Sequence, residues 1–303
     1  MNGDAMSGWS TSIDRFGILT QLLYRLWFAK ATGAPPTVAS GMAAWNAGAR
    51  PSLVASLRAA HAATRRFEPG WLTSAVGPRG AVTLERAGQR LDLLPPDYAN
   101  LTRRGVPMRI GDAAAATGRR DVVDADGAWW TTFGRVGAAP IAPMVRVYWN
   151  CGPDAVTALV AAVTEVLEGR DVPYTMKCPA DPALFDRVDG VVLYLGPEGF
   201  VAAKALLRHV HAGIADRLRE VVPPLTLELG RGVAVAEDPA TGESFGESRA
   251  RAVADGLLRA SDAGVTDDDD VLAVLVERLA AHGISQTRPY LGATSAPDVV
   301  TGW

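Results

Sequence analysis

Lysine is nearly absent from this chain: of 30 cationic side chains only three, Lys30, Lys177 and Lys204, are lysine. Cysteine is scarcer still. The pair Cys151 and Cys178 excludes a disulfide scaffold and a Cys-x-x-Cys zinc site, leaving at most one bridge. A reducing compartment is the simpler setting for so few thiols. No apolar run reaches the ~20 residues that span a bilayer, and the start of the chain lacks a basic stretch followed by an apolar one. Positive charge is not in excess either. The formal net charge is −3 and no basic run interleaves with aromatics. Neither nucleic acid nor a membrane is therefore an expected partner, and a cytoplasmic location is expected.

What is present fits a globular protein. The chain has 303 residues, 48% hydrophobic and 21% charged, enough for two domains or one large one. The first half is irregular. Ile13 to Ala31 carries apolar residues at helical spacing and is stopped by Gly33-Ala34-Pro35-Pro36, and a second helix is expected from Pro51 to Arg66. Short alternating runs between Trp71 and Leu94 suggest a small antiparallel sheet, and residues 95–137 read as linker and edge elements. From Met144 the pattern is regular. Strands are expected at Val145–Asn150, Pro173–Cys178, Gly190–Leu195, Leu225–Leu229 and Val233–Ala236. Helices are expected at Pro153–Glu168, Glu198–Leu218, Ser244–Arg259 and Asp268–Ala281. The expected fold is α+β (mixed α/β): residues 140–303 form a mixed-sheet domain with helices, and residues 1–139 a smaller helical and antiparallel-β region.

Lys177 stands out because it ends an apolar strand pattern, Val172-Pro173-Tyr174-Thr175-Met176-Lys177-Cys178. A guanidinium is always charged, whereas burial and nearby cations can bring an ammonium toward neutrality. Lys177 is thus a candidate proton acceptor; it also fits a strand-end lysine whose amine reaches water. On the preceding strand, alternation places Arg146, Tyr148 and Asn150 on one face, which suits either an anion-handling surface or an ordinary solvated sheet face. Ser244 stands at a helix start, where free N–H groups favour anions, with Arg249 and Arg251 just inside it. Ser244 with Glu247 also reads as a capping box.

Gly242-Glu243-Ser244-Phe245-Gly246 matches the Gly-x-Ser-x-Gly elbow of serine hydrolases, with His282 downstream. An elbow needs an apolar strand running into the serine, and here a polar loop with Pro239 precedes it. His209 and His211, two apart on a helix, point in different directions and do not suit zinc. The run Asp267–Asp270 reads as a helix cap and dipole charge; a Mg²⁺ site there would need convergent oxygens from elsewhere.

The second half resembles the HopA-type effector family. The similarity lies in Val145–Asn150, Val172–Lys177, Val191–Leu195, Leu225-Thr226-Leu227, the stretch from Ala236-Glu237-Asp238-Pro239 to Glu243-Ser244-Phe245-Gly246, and Arg288-Pro289-Tyr290-Leu291. Relatives of that family include the lyases of class V lanthipeptide and thioamitide pathways. There a partner kinase phosphorylates Ser or Thr of a precursor peptide, and the HopA-like protein eliminates phosphate to leave dehydroalanine or dehydrobutyrine. The resemblance extends to phosphothreonine lyases, which use a lysine base, a histidine acid and arginines around the phosphate. It implies a phosphoserine/phosphothreonine lyase working on a phosphorylated precursor peptide beside a peptide kinase; no metal or organic cofactor is expected, since guanidinium groups can stabilise the leaving group and the sequence holds no metal-ligand cluster. Lys177 would be the base. Arg146 and Arg249 would hold phosphate with Ser244 and Arg251, and Asn150 and Tyr194 would support them. Tyr148 would be the acid, since this strand offers no histidine. Residues before about 140, with Phe16, Trp27, Trp45 and Trp71, would bind the precursor or the kinase. Two other readings stay open: a non-catalytic protein-binding module or kinase scaffold, and a hydrolase using Ser244 and His282.

Overall fold

The computed structural model describes residues 14–30, 49–62, 67–95, 97–103, 105–117, 121–136, 138–140, 143–239, 241–292, 299–300 and 302–303. Asp14 caps the first helix, α1 (Arg15–Leu22), its carboxylate accepting from the Gly17 N–H at 2.9 Å. The helix continues as a π-wound segment, Leu23–Phe28. Ile13 and Ala31, the expected ends of this helix, lie outside the described residues, as do Trp45 and Arg66. The second helix, α2, spans Ala49–Ala60.

Five strands then form an antiparallel sheet with its own core: β1 (Phe67–Val76), β2 (Val82–Arg86), β3 (Gln89–Leu93), β4 (Tyr98–Asn100) and β5 (Ala113–Thr117), in the order β3-β2-β1-β5-β4. Trp71, Leu84, Leu93, Met108 and Ala116 fill that core. Trp71 is therefore structural rather than available to a partner.

The main sheet has seven strands: β6 (Asp121–Val123), β7 (Trp129–Phe133), β8 (Val145–Trp149), β9 (Tyr174–Pro179), β10 (Val191–Leu195), β11 (Leu227–Gly230) and β12 (Val233–Glu237), in the order β11-β12-β8-β10-β9-β7-β6. The α+β class holds, but the sheet is not mixed: every described pairing is antiparallel. The connection from β8 to β9 contains a helix and brings those two strands parallel, yet β10 inserts between them and runs opposite to both. Residues 95–137 are also more than linker. They hold β4 to β7, and β5 and β7 are interior strands. The main sheet therefore takes two strands from ahead of residue 140.

Helices cover both faces. On one lie α3 (Val156–Glu168) and α4 (Pro197–Ile214), with α2 against α3. Val156, Leu159, Val160, Val163 and Leu167 recur at helical spacing and are fully buried against Val147, Trp149, Met176, Leu193 and Trp130. On the other face lie the π-wound segment and α5 (Phe245–Asp262), with α1 and α6 (Asp268–Ala281) packed on α5. Here Phe28 and Phe245 meet Tyr148, Val192 and Ala236. Both cysteines are buried and free. No described helix is long and apolar enough to cross a membrane.

Candidate functional site

Antiparallel register decides which polar side chains of the second face meet. Tyr148, Val192, Lys177 and Thr131 form one row across β8, β10, β9 and β7; Arg146, Tyr194, Thr175 and Phe133 form the next. With strands ~4.8 Å apart, the Cα atoms of Tyr148 and Lys177 are about 10 Å apart, a span that a substrate group can bridge. Between this face and the helices lies a cavity of about 100 Å³. Lys177, Arg146, Tyr148 and Tyr194 all line it, as does Ser244; seven further lining residues had no forecast role, among them Tyr24, Trp129, Arg187 and Asp189.

Lys177 forms no hydrogen bond or ion pair with the described residues. Its Nζ sits 4.3 Å from the centre of the Trp129 ring. Partial burial is the main cause that pulls its pKa below the usual lysine value; Arg187 and Arg146 act the same way, against Asp124 and Asp189. The side chain is therefore closer to a neutral amine than a surface lysine is.

Arg146 is held by a neighbouring strand end. Its Nε donates to Asp238 Oδ1 at 2.7 Å, a terminal nitrogen pairs with the same carboxylate, and its guanidinium lies over Tyr194 at 5.3 Å. Tyr148 is only 3% exposed. Burial pushes its phenol well above the ordinary value and raises that of Tyr194 too, so both stay protonated donors. The Tyr148 hydroxyl has no hydrogen-bond partner among the described residues, although it lines the cavity.

The other expected residues do different work. Arg249, 2% exposed, donates from Nε to Pro289 O at 2.9 Å and from a terminal nitrogen to Leu291 O at 2.8 Å, with Ser248 Oγ taking a third bond. It fastens the C-terminal segment and does not line the cavity. Arg251 points away and pairs with Glu243. Asn150 lies past the end of β8, buried, with its amide donating to Val221 O at 2.7 Å. Ser244 reaches the cavity but is closed into a capping box, its Oγ accepting from Glu247 N at 3.2 Å while Glu247 Oε2 accepts from Ser244 N at 3.1 Å. The capping carboxylate opposes an anion at that helix start.

The hydrolase arrangement is absent: His282 Nε2 pairs with Asp255 at 2.9 Å at the end of α6, and Ser244 pairs with Glu247. The elbow-like motif has a packing explanation instead. A Cβ on Gly246 would fall 2.5 Å from the Phe28 ring, so only glycine lets the π-wound segment approach α5 there. Asp267 caps α6, accepting from Asp269 N at 3.0 Å. His211 contacts Arg231 O at 3.1 Å.

Arg187 escaped the sequence reading because it sits in the irregular loop before β10. The only available signal was Arg187-x-Asp189, two opposite charges beside a glycine and an apolar strand. The pair is bidentate, Nε to Oδ1 at 2.9 Å and a terminal nitrogen to Oδ2 at 2.8 Å. The same nitrogen reaches the Tyr24 hydroxyl at 3.0 Å, which ties the loop to the π-wound segment. Asp189 is buried, so this ion pair is shielded from solvent.

A seven-stranded antiparallel sheet with a lysine and two guanidiniums at a small cavity defines the structural class. The chain belongs to the HopA1 effector protein family, whose family model matches residues 129–291. An effector protein from Pseudomonas syringae pv. tomato strain DC3000 shares the fold, with TM-score 0.50 and 16% identity over 92% of this chain and 96% of that one. A second, from Pseudomonas syringae pv. syringae strain 61, aligns with TM-score 0.49 and 14% identity over 92% and 90%. No curated protein sequence matches the chain.

Proposed function

We propose that this protein is a phosphoserine/phosphothreonine lyase that removes phosphate from a kinase-phosphorylated precursor peptide, leaving dehydroalanine or dehydrobutyrine in peptide natural-product biosynthesis. The observation that carries this reading is Lys177, an ammonium without an ionic partner among the described residues and with a lowered pKa, on the same sheet face as Tyr148 and Arg146. A binding module has no need for a lysine held toward neutrality inside a cavity.

The chemistry follows from those groups. The neutral Nζ of Lys177 takes the Cα proton. The C–H electron pair becomes the Cα=Cβ bond, and the Cβ–Oγ bond breaks, with its electrons and oxygen leaving as inorganic phosphate. Removing a weakly acidic Cα proton is the difficult part, and a base with a pKa nearer the working pH makes it easier. Negative charge grows on the departing oxygen, and Arg146 and the Tyr148 hydroxyl supply donors for it. Tyr148 is too weak an acid to surrender its proton to free phosphate, so its role is hydrogen-bond donation to the bridging oxygen. A cavity of about 100 Å³ lined by Lys177, Arg146 and Tyr148 has room for a phosphate-sized group. The phosphoryl group has to be supplied by a Ser/Thr peptide kinase, which makes such a kinase the expected partner.

The test is mass spectrometry of a phosphoserine or phosphothreonine peptide incubated with the protein. Loss of phosphoric acid, giving an alkene that thiols then trap, supports the lyase. Loss of the phosphoryl group with the alcohol restored would mean a phosphatase, and an unchanged peptide that still binds would favour the protein-binding module.

A further inference from the structure

Arg249 cannot serve the cavity, so the second cation near the phosphate has to come from elsewhere, and donor accounting identifies it. A guanidinium carries five N–H donors. In Arg187, Nε and one terminal nitrogen are engaged, by Asp189 on both carboxylate oxygens and by the Tyr24 hydroxyl. The other terminal nitrogen has no hydrogen-bond partner among the described residues. The side chain is one-fifth exposed and lines the cavity, with its guanidinium carbon 5.6 Å from the Trp129 ring centre. Lys177 Nζ lies 4.3 Å from the centre of the same ring. Both cations thus approach the same ring and line the same cavity, and Arg187 is close enough to help lower the Lys177 pKa, while Asp189 fixes the fork on the side away from its free nitrogen.

We infer that Arg187 is a phosphate ligand of this site, with Asp189 and Tyr24 as the residues that position it. The inference rests on the phosphopeptide reading above and adds the specificity element to it: together with Arg146, Arg187 distinguishes a phosphorylated from an unphosphorylated side chain. The neutralised pairs matter here. Each guanidinium is held by a carboxylate, Arg146 by Asp238 and Arg187 by Asp189, so the empty cavity is not flooded with uncompensated charge. The free donors still face an incoming dianion.

Removing Arg187 alone would leave the Asp189 carboxylate buried without its cation, and that variant is open to misfolding. The informative variant is Arg187→Gln/Asp189→Asn, which removes both charges, with Arg187→Lys as a companion that keeps the charge and loses the fork. All proteins carry Lys177→Ala so that the ligand is not turned over. The probes are a short synthetic peptide with one phosphoserine and its unphosphorylated twin, followed by titration calorimetry. The parent should prefer the phosphopeptide, and the double variant should lose about thirtyfold or more of its affinity for it, with the unphosphorylated peptide unaffected. Arg187→Lys should fall in between. Undiminished preference in the folded double variant overturns the assignment, as does a parent without preference. Failure of the lyase reading is separable. A wild-type protein that prefers the phosphopeptide through Arg187 but never eliminates phosphate keeps this inference and loses the reaction. Elimination by a wild type whose phosphate preference ignores Arg187 does the reverse.

Discussion

Lys177 and Tyr148 flank a single residue: Val192 on β10 is in register with Lys177 on one side and with Tyr148 on the other. The amine proposed as base and the hydroxyl proposed as donor are thereby held on one face by backbone hydrogen bonds, with an apolar side chain between them. Elimination needs that separation, because the proton is taken at Cα and charge appears on the oxygen at Cβ.

Replacing Lys177 with alanine or arginine should reduce elimination by at least about a thousandfold while the thermal midpoint stays close to wild type. Arginine retains the cation but does not become a neutral base in the accessible pH range. A phosphopeptide assay with mass detection, beside a melting curve for each variant, measures both effects. An active Lys177→Arg enzyme would remove the lysine from the mechanism.

The pH profile has a defined sign. In the proposed reaction Lys177 acts when deprotonated, and its pKa is lowered mainly by burial. The rate constant kcat/KM should therefore rise with pH and level off below the ordinary lysine range of about 10.4. Tyr148 does not produce a falling limb in that window, because burial raises its pKa. A rate that falls as pH rises from neutrality would contradict both roles.

Arg146→Ala should weaken phosphopeptide binding by about 2–5 kcal/mol, as truncation of a desolvated charge pair does. Asp238→Asn should weaken it less, since the guanidinium stays but loses its anchor. Affinity for the unphosphorylated peptide is the control, and equal losses on both peptides would assign Arg146 to structure alone.

Arg249→Met is expected to act in the opposite way. It should cost about 1–3 kcal/mol of stability by stranding the Pro289 and Leu291 carbonyls, yet leave phosphate preference intact in the folded protein. Chemical denaturation and a titration with phosphopeptide separate the two.

Gly246→Ala should destabilise the protein by about 1–3 kcal/mol, because its methyl group would overlap Phe28 and come within 2.8 Å of Tyr24. Part of the loss should appear as weaker phosphopeptide binding, since Tyr24 braces Arg187. Loss of stability with unaltered binding would uncouple the π-wound segment from the site.

The strands and helices after Met144 were legible because their apolar runs are long and regular. β8 to β12 and α3 to α6 match the sequence pattern to within about three residues at most ends. β6 and β7 were not, because each is short and the Trp129-Trp130 pair looks continuous rather than alternating. In fact each ring serves a different face: Trp130 is fully buried in the main core and Trp129 walls the cavity. Arg249 misled for a related reason. Its nearness to Ser244 in sequence says nothing about direction, and each residue along a helix turns by about 100°. From Ser244, that rotation carries Arg249 toward the C-terminal segment. Lys177 was found because a rare residue type ended an apolar strand, whereas Arg187, one of many arginines in a loop, gave no comparable contrast.

The π-wound turn at Leu23–Phe28 gives the site an unusual kind of adjustability. A π turn holds about one residue more than an α turn, so deleting a single residue within it would let the helix rewind without breaking. The flanking turns would keep their phase, because the wide turn itself absorbs the extra residue. Tyr24 lies inside that turn, so closing it would shift the phenol that meets Arg187. The winding of this one turn thus decides how firmly the segment braces the Arg187–Asp189 pair at the cavity.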